Sequence, residues 1–144
     1  MKKRGTLEIV QAHPDLRLPR TRLRQLIHTI LRAEGAQLGY LSVVLADHAT
    51  VRTLNQTYLA HDYDTDVLSF PLSETPGVIE GEIYVDLDTA AERHAEFGAS
   101  FLQEACRYVV HGVLHLLGYD DSSPEAKAHM HALEDHYLAL CQIS

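Results

Sequence analysis

Val109-Val110-His111-Gly112-Val113-Leu114-His115-Leu116-Leu117-Gly118-Tyr119-Asp120-Asp121 is the stretch around which this 144-residue chain is organised. Its apolar run from Val109 to Leu117 predicts a buried helix. His111 and His115 are four residues apart, so on that helix they stand one above the other on a single face. Two imidazoles so placed can converge on one metal ion. Gly118 predicts the stop, because glycine enters the left-handed region without steric cost. Had the helix continued, residue 121 would lie about 9 Å further along the axis than His115 at ~1.5 Å per residue. A turn at Gly118 brings the chain back instead, and either Asp120 or Asp121 can then supply a third ligand.

The longer ligand order, histidine, the fourth residue on, then the tenth, is that of the extended zinc-protease signature. That signature places a glutamate base where this chain has Gly112. Peptide hydrolysis therefore lacks one of its reactants, and a metalloprotease is the least favoured reading.

The segment from His111 to Asp121 resembles the HGxLHLxGYDH signature of the YbeY family, the bacterial rRNA maturation endoribonucleases. A second block agrees in order: Leu54-Asn55, then Thr65-Asp66-Val67-Leu68-Ser69-Phe70-Pro71, then Gly81-Glu82-Ile83. The resemblance extends over most of residues 50–137. It implies one metal ion, Zn²⁺, held by His111, His115 and Asp121. It implies a single-strand-specific endoribonuclease that matures the 3′ end of 16S rRNA and acts in ribosome quality control. The implied partners are rRNA and the small ribosomal subunit, with ribosomal proteins or a ribosome-associated GTPase as further candidates. This chain departs from the family twice. Asp121 stands where the family usually has histidine, and Leu59 where an arginine usually follows the Leu-Asn-x-x-Tyr segment.

The composition fits those expectations. At 144 residues and 46% apolar content the chain suits one domain, residues 1–144, with a core of its own. No apolar run approaches the ~20 residues of a membrane span. The start, Met1-Lys2-Lys3-Arg4, is basic but is not followed by a signal-peptide core, so the expected location is cytoplasmic, without membrane contact. Cys106 and Cys141 lack metal-pair spacing and read as two reduced thiols. The net charge of −8 is uneven, +6 over residues 1–32 and −14 over the rest. An RNA partner would meet the basic N-terminal third.

In chain order, Thr6 to Val10 reads as a strand. Pro19 opens a helix whose apolar stripe is Leu23, Leu26, Ile27, Ile30 and Leu31, ending near Gly35. Arg20, Arg24, His28 and Arg32 recur at steps of four on another face, and the three arginines are candidate RNA contacts. Tyr40 to Ala46 reads as a strand, and Asp47 as the cap of a helix carrying Val51, Leu54 and Tyr58. After an acidic loop, Val67 to Phe70 and Glu82 to Asp86 read as strands around a turn at Pro76-Gly77. Asp88 is the expected cap of a helix over Thr89–Phe97 ending at Gly98. Ser100 caps the motif helix, and Ser123 with Pro124 starts the last one. That helix's expected buried stripe is Ala126, Met130, Leu133, Tyr137 and Leu140, with His129, His131 and His136 outside it. A Rossmann fold is excluded for want of a glycine-rich turn after the first strand.

The expected class is α+β. A small mixed sheet, four-stranded by the resemblance, is flanked by about five helices, with the metal helix packed centrally. Two imidazoles and a carboxylate leave a place for water on a divalent ion, which acidifies it and polarises a phosphoryl oxygen. The motif contains no general base. Glu82 is the first candidate, with Asp64 and Asp66 behind it. His61, if protonated, is a candidate substitute for the missing arginine. The alternative is a metal-stabilised ribosome-assembly factor that does not cut.

Overall fold

The computed structural model describes residues 5–59 and 66–144. Four strands, β1 (Thr6–Gln11), β2 (Gln37–Ala46), β3 (Val67–Pro71) and β4 (Val78–Asp86), form one sheet in the order β1-β2-β4-β3. β1 and β4 both run parallel to β2, while β3 is antiparallel to β4. Around it lie α1 (Arg20–Ala33), α2 (His48–Leu59), α3 (Leu87–Arg93), α4 (Phe101–Leu116) and α5 (Pro124–Leu140). The expected α+β class, with a four-stranded mixed sheet and five helices, is the observed one.

The alternation along the strands sorts the sheet into two unequal faces. Leu41, Val43, Leu45, Ile79, Ile83 and Val85 point to the main core, where all five residues of the predicted α1 stripe are buried with them. The opposite face carries a smaller cluster of Ala46, Val51 and Leu68, joined by Leu54, Phe70 and Tyr84, and is covered by α2. Asp47 caps α2 as expected, its Oδ1 accepting from the Thr50 amide at 2.9 Å. Tyr58, expected on the packed side, is exposed and edges against Phe70.

Three local expectations are corrected. The cap of α3 is Asp86, which accepts from the Thr89 amide at 2.9 Å. Asp88 instead accepts from the His48 amide and pairs with His13. The strand thus runs directly into the helix, and its last residue, already fully buried, is the one in capping geometry. Leu140 is 55% exposed, and Glu134 and Leu138 take the buried positions beside Met130 and Tyr137. Arg20 and Arg24 do not form a free ridge. Their guanidinium groups donate to the Ile9 carbonyl at 3.4 Å and the Leu7 carbonyl at 2.9 Å, blunting the open edge of β1. Arg32 and His28 remain exposed.

Cys106 is fully buried, and burial pushes its thiol up to about 12, whereas Cys141 is half-buried. Thiolate is the reactive form. Folded protein should therefore release one equivalent of chromophore quickly with a disulfide reagent at pH 8, and two in denaturant. Two fast equivalents in the folded state would contradict the burial of Cys106.

Candidate metal centre

α4 begins at Ser100, whose hydroxyl accepts from the Gln103 amide at 3.0 Å, and crosses β3 and β4 with Val109, Val110, Val113 and Leu114 buried. At Gly112 the helix presses on the sheet. A Cβ there would stand 2.8 Å from Ile83 Cγ2 and 3.1 Å from Val67 Cγ2. The Ser69 hydroxyl donates to the Gly112 carbonyl at 3.0 Å, fixing the crossing point. His111 and His115 sit at the border of this contact and are half-buried.

The helix then stops as the sequence predicts. Gly118 has φ +103°, its amide donates to the His115 carbonyl at 3.1 Å, and the Tyr119 amide donates to the Leu114 carbonyl at 3.0 Å. This paired closure turns the chain back within one turn. Of the two aspartates that follow, Asp120 accepts from the Ser122 amide and hydroxyl, away from the histidines. Asp121 reaches them, with Oδ2 3.5 Å from His111 Nε2 and Oδ1 3.8 Å from His115 Nε2.

The two ring nitrogens, His111 Nε2 and His115 Nε2, are 2.9 Å apart. Three donors about 2.1 Å from one tetrahedral ion would stand about 3.4 Å from one another. The two nitrogens are 2.9 Å apart, one Asp121 oxygen is 3.5 Å from the first and the other 3.8 Å from the second, and one ligand atom from each residue lies within 4.8 Å of the others, so the triad could close on a single small divalent cation. Two facing nitrogen lone pairs at such a distance need a proton or a cation between them. Burial lowers the pKa of both rings. At His111 the hydrogen bond and charge of Glu134, with Asp66 and Asp121, outweigh burial and raise it. His115 stays lowered by burial and by the neighbouring His111 charge.

Glu134 was not anticipated as a site residue. It is 5% exposed, and its Oε2 accepts from His111 Nδ1 at 2.7 Å while Oε1 accepts from Arg107 at 3.1 Å. Committing Nδ1–H to a carboxylate turns the Nε2 lone pair toward His115 and Asp121, as metal-ligating histidines require. The signal was present: Glu134 lies between Met130 and Tyr137 on the α5 stripe, and an acid inside an apolar stripe needs a buried partner.

The triad opens onto a cleft of about 1020 Å³ between the end of α4 and the segment joining β3 to β4. Among the described residues that line it are the buried Asn55 and the acids Glu34, Glu74 and Asp121, but no lysine or arginine. Asp66, just before β3, is half-buried and within electrostatic reach of His111, and desolvation raises its carboxyl pKa. Glu82 is corrected as a base for this site. It alternates with Gly81 and Ile83, which face α4, so its side chain lies on the α2 face of an interior strand. His61 and Asp64 lie outside the described residues. Arg20, Arg24 and Arg32 are on α1, outside the cleft lining.

Comparison with known proteins agrees with this architecture. Residues 8–142 match the family described as endoribonuclease YbeY. The Salinibacter ruber protein named Endoribonuclease YbeY is 56% identical over 140 residues, covering 92% of this chain and 89% of its own. The protein of that name from Chlorobium phaeovibrioides is 40% identical, covering 91% and 89%. The solution structure of a Thermotoga maritima protein superimposes with a TM-score of 0.64 at 27% identity, covering 95% of this chain and 92% of that one. On the match across residues 8–142 and the identity shared with these relatives, the chain belongs to the endoribonuclease YbeY family.

Proposed function

We propose that this protein is a metal-dependent endoribonuclease that cleaves single-stranded rRNA, acting at the 3′ end of 16S rRNA and in ribosome quality control. The observation that carries the reading is the His111–His115–Asp121 triad, its donor atoms all within 4.8 Å of one another, at the edge of a cleft of about 1020 Å³. Two imidazoles and a carboxylate suit Zn²⁺. When bound, such an ion acidifies water and polarises a phosphoryl oxygen. The chain's own residues do the rest. Glu134 holds the His111 ring, Gly118 returns Asp121, and Asp66 is the candidate base, its carboxyl pKa raised by desolvation. The expected partners are rRNA and the small ribosomal subunit, with ribosomal proteins or a ribosome-associated GTPase beside them. The expected compartment is the cytoplasm. Among the described residues no helix is long and apolar enough to cross a membrane.

Two observations favour a second reading, a metal-stabilised assembly factor that binds without cutting. Cations are missing from the described lining of the cleft, and Leu59 stands where relatives usually have arginine. The test is single-turnover cleavage of a structured rRNA 3′ fragment, with and without chelator, beside a peptide control. Chelator-sensitive cleavage of RNA alone supports the nuclease. A chelator-sensitive melt with no cleavage supports the assembly factor.

Two substitutions refine the assignment. Asp121→Ala should lose the metal by elemental analysis, whereas Asp120→Ala, which removes only the hydrogen bonds to Ser122, should keep one equivalent. Equal loss from both would remove Asp121 from the triad. For RNA binding, Arg32→Gln should lower the salt slope by about one unit for each phosphate the side chain no longer neutralises. Arg24→Gln should lower the melting temperature as well, because it uncovers the Leu7 carbonyl. A slope unchanged by both would assign α1 to solvent.

A further inference from the structure

Glu34 stands in the cleft but outside the ligand triad. It is the C-terminal cap of α1, its amide donating to the Ile30 carbonyl at 2.9 Å. Its carboxylate is shared by two phenols. The Tyr119 hydroxyl donates to Oε1 at 2.6 Å, and the Tyr137 hydroxyl donates to Oε2. One carboxylate thus joins the end of α1, the connection between α4 and α5, and α5 itself. Tyr119 is the first residue after the Gly118 turn and stands two residues before Asp121. The Asp121 side chain is 41% exposed, and α5 begins only at Pro124. The path that delivers this ligand is therefore short and largely at the surface. At Tyr119 the path is anchored inward by the backbone bond to the Leu114 carbonyl, by packing of the ring against the main core and, at the hydroxyl, by the Glu34 carboxylate, with the His129 ring 5.8 Å from the Tyr119 ring.

We propose that Glu34, acting through the Tyr119 hydroxyl, is a positioning residue for the metal ligand Asp121. A carboxylate accepting from two hydroxyls is held at both oxygens, so it fixes the Tyr119 ring more firmly than a single hydrogen bond would. Two residues of backbone then limit how far the Asp121 carboxylate can stray from the Nε2 atoms. Ordering a flexible loop at the moment of metal capture would cost affinity, and a loop already held avoids that cost. The Tyr137 arm ties the same carboxylate to α5 and stabilises the fold. The proposal rests on the metal reading above.

The test uses the full chain and measures Zn²⁺ affinity by competition, the visible absorption of the Co²⁺-substituted protein, and apo far-UV circular dichroism. Glu34→Ala and Tyr119→Phe should weaken Zn²⁺ binding roughly 10- to 100-fold, the usual effect of removing a partner that orients a ligand, with a changed Co²⁺ spectrum and unchanged apo dichroism. Glu34→Gln, which keeps an acceptor oxygen, should recover part of the affinity. Tyr137→Phe should lower the melting temperature but hold metal within about threefold of wild type. If Tyr119→Phe and Glu34→Ala bind Zn²⁺ as wild type does, with the wild-type Co²⁺ spectrum, the clamp is structural only and the proposal is overturned. Should the wild-type chain itself take up no metal, the metal reading fails first and the clamp falls with it.

Discussion

If the triad holds a metal as proposed, His111→Ala should leave a folded chain without stoichiometric metal and without RNA cleavage. The ring is half-buried at the side of α4, and the core it borders, Val109, Val110, Val113 and Leu114, is unchanged by its removal. Far-UV circular dichroism should stay near wild type. The drop in metal affinity should be large. A protein zinc site holds its ion with ~10–16 kcal/mol, so each of four positions carries about 2.5–4 kcal/mol. That corresponds to roughly 10²- to 10³-fold in Kd. A second effect runs through the fold. Glu134 is deprived of the His111 ring but keeps Arg107, so its buried charge remains paired and the chain does not collapse. A ligand that binds only the folded state adds about 2.7 kcal/mol at a hundredfold excess over Kd. Chelator should accordingly lower the wild-type melt by about 5–11 °C and leave that of His111→Ala unmoved. A variant retaining one equivalent of metal would remove His111 from the site. A wild-type melt and cleavage both indifferent to chelator would make the histidines core residues.

Short-range chemistry was the legible part of this chain. The α1 stripe, the caps at Asp47, Ser100 and Ser123 and the stop at Gly118 all follow from rules acting over four or five residues, and the structure has each of them. The convergence of His111 with His115 is a consequence of helical periodicity alone. What was not legible depends on which faces meet. Glu82 belongs to a segment shared with the family, but strand alternation needs a known partner face before it says where a side chain points. Only the packing of α4 over Gly81 and Ile83 sends Glu82 to the other side. The cap of α3 was misplaced by two residues because Asp86 and Asp88 both satisfy the capping pattern, and burial of the strand end decides between them.

Glu134 and Glu34 illustrate a further limit. Each is an acid whose role comes from partners far along the chain, His111 and Arg107 for the first, Tyr119 and Tyr137 for the second. The α5 stripe signals that Glu134 needs a buried partner, but sequence spacing does not say which residues the partners of either acid are. Arg20 and Arg24 show the converse. Their spacing of four advertised a basic face, yet the edge of β1 draws both guanidinium groups onto its carbonyls.

Gly112→Glu tests the boundary between motif and fold most severely. The substitution completes the His-Glu-x-x-His pattern of a zinc protease within residues 111–115, so reasoning from the motif alone expects peptidase activity. The structure expects an unfolded or insoluble chain. Position 112 faces the sheet, and a Cβ there already meets Ile83 Cγ2 at 2.8 Å, Val67 Cγ2 at 3.1 Å and the Ser69 hydroxyl at 3.2 Å. Ile83 is fully buried in an interior strand and cannot withdraw. Overpacking of this kind costs about 1–3 kcal/mol for a small addition. A carboxylate driven between a helix and a sheet without a partner adds several kcal/mol more. Gly112→Ala isolates the first part and should lower the melting temperature by about 2–12 °C while keeping metal. Gly112→Glu should fail to give a cooperative melt and should hydrolyse no peptide. A soluble Gly112→Glu protein with a wild-type melt would show that α4 does not press on β3 and β4 at this point, and the placement of both histidines relative to the cleft would have to be redrawn.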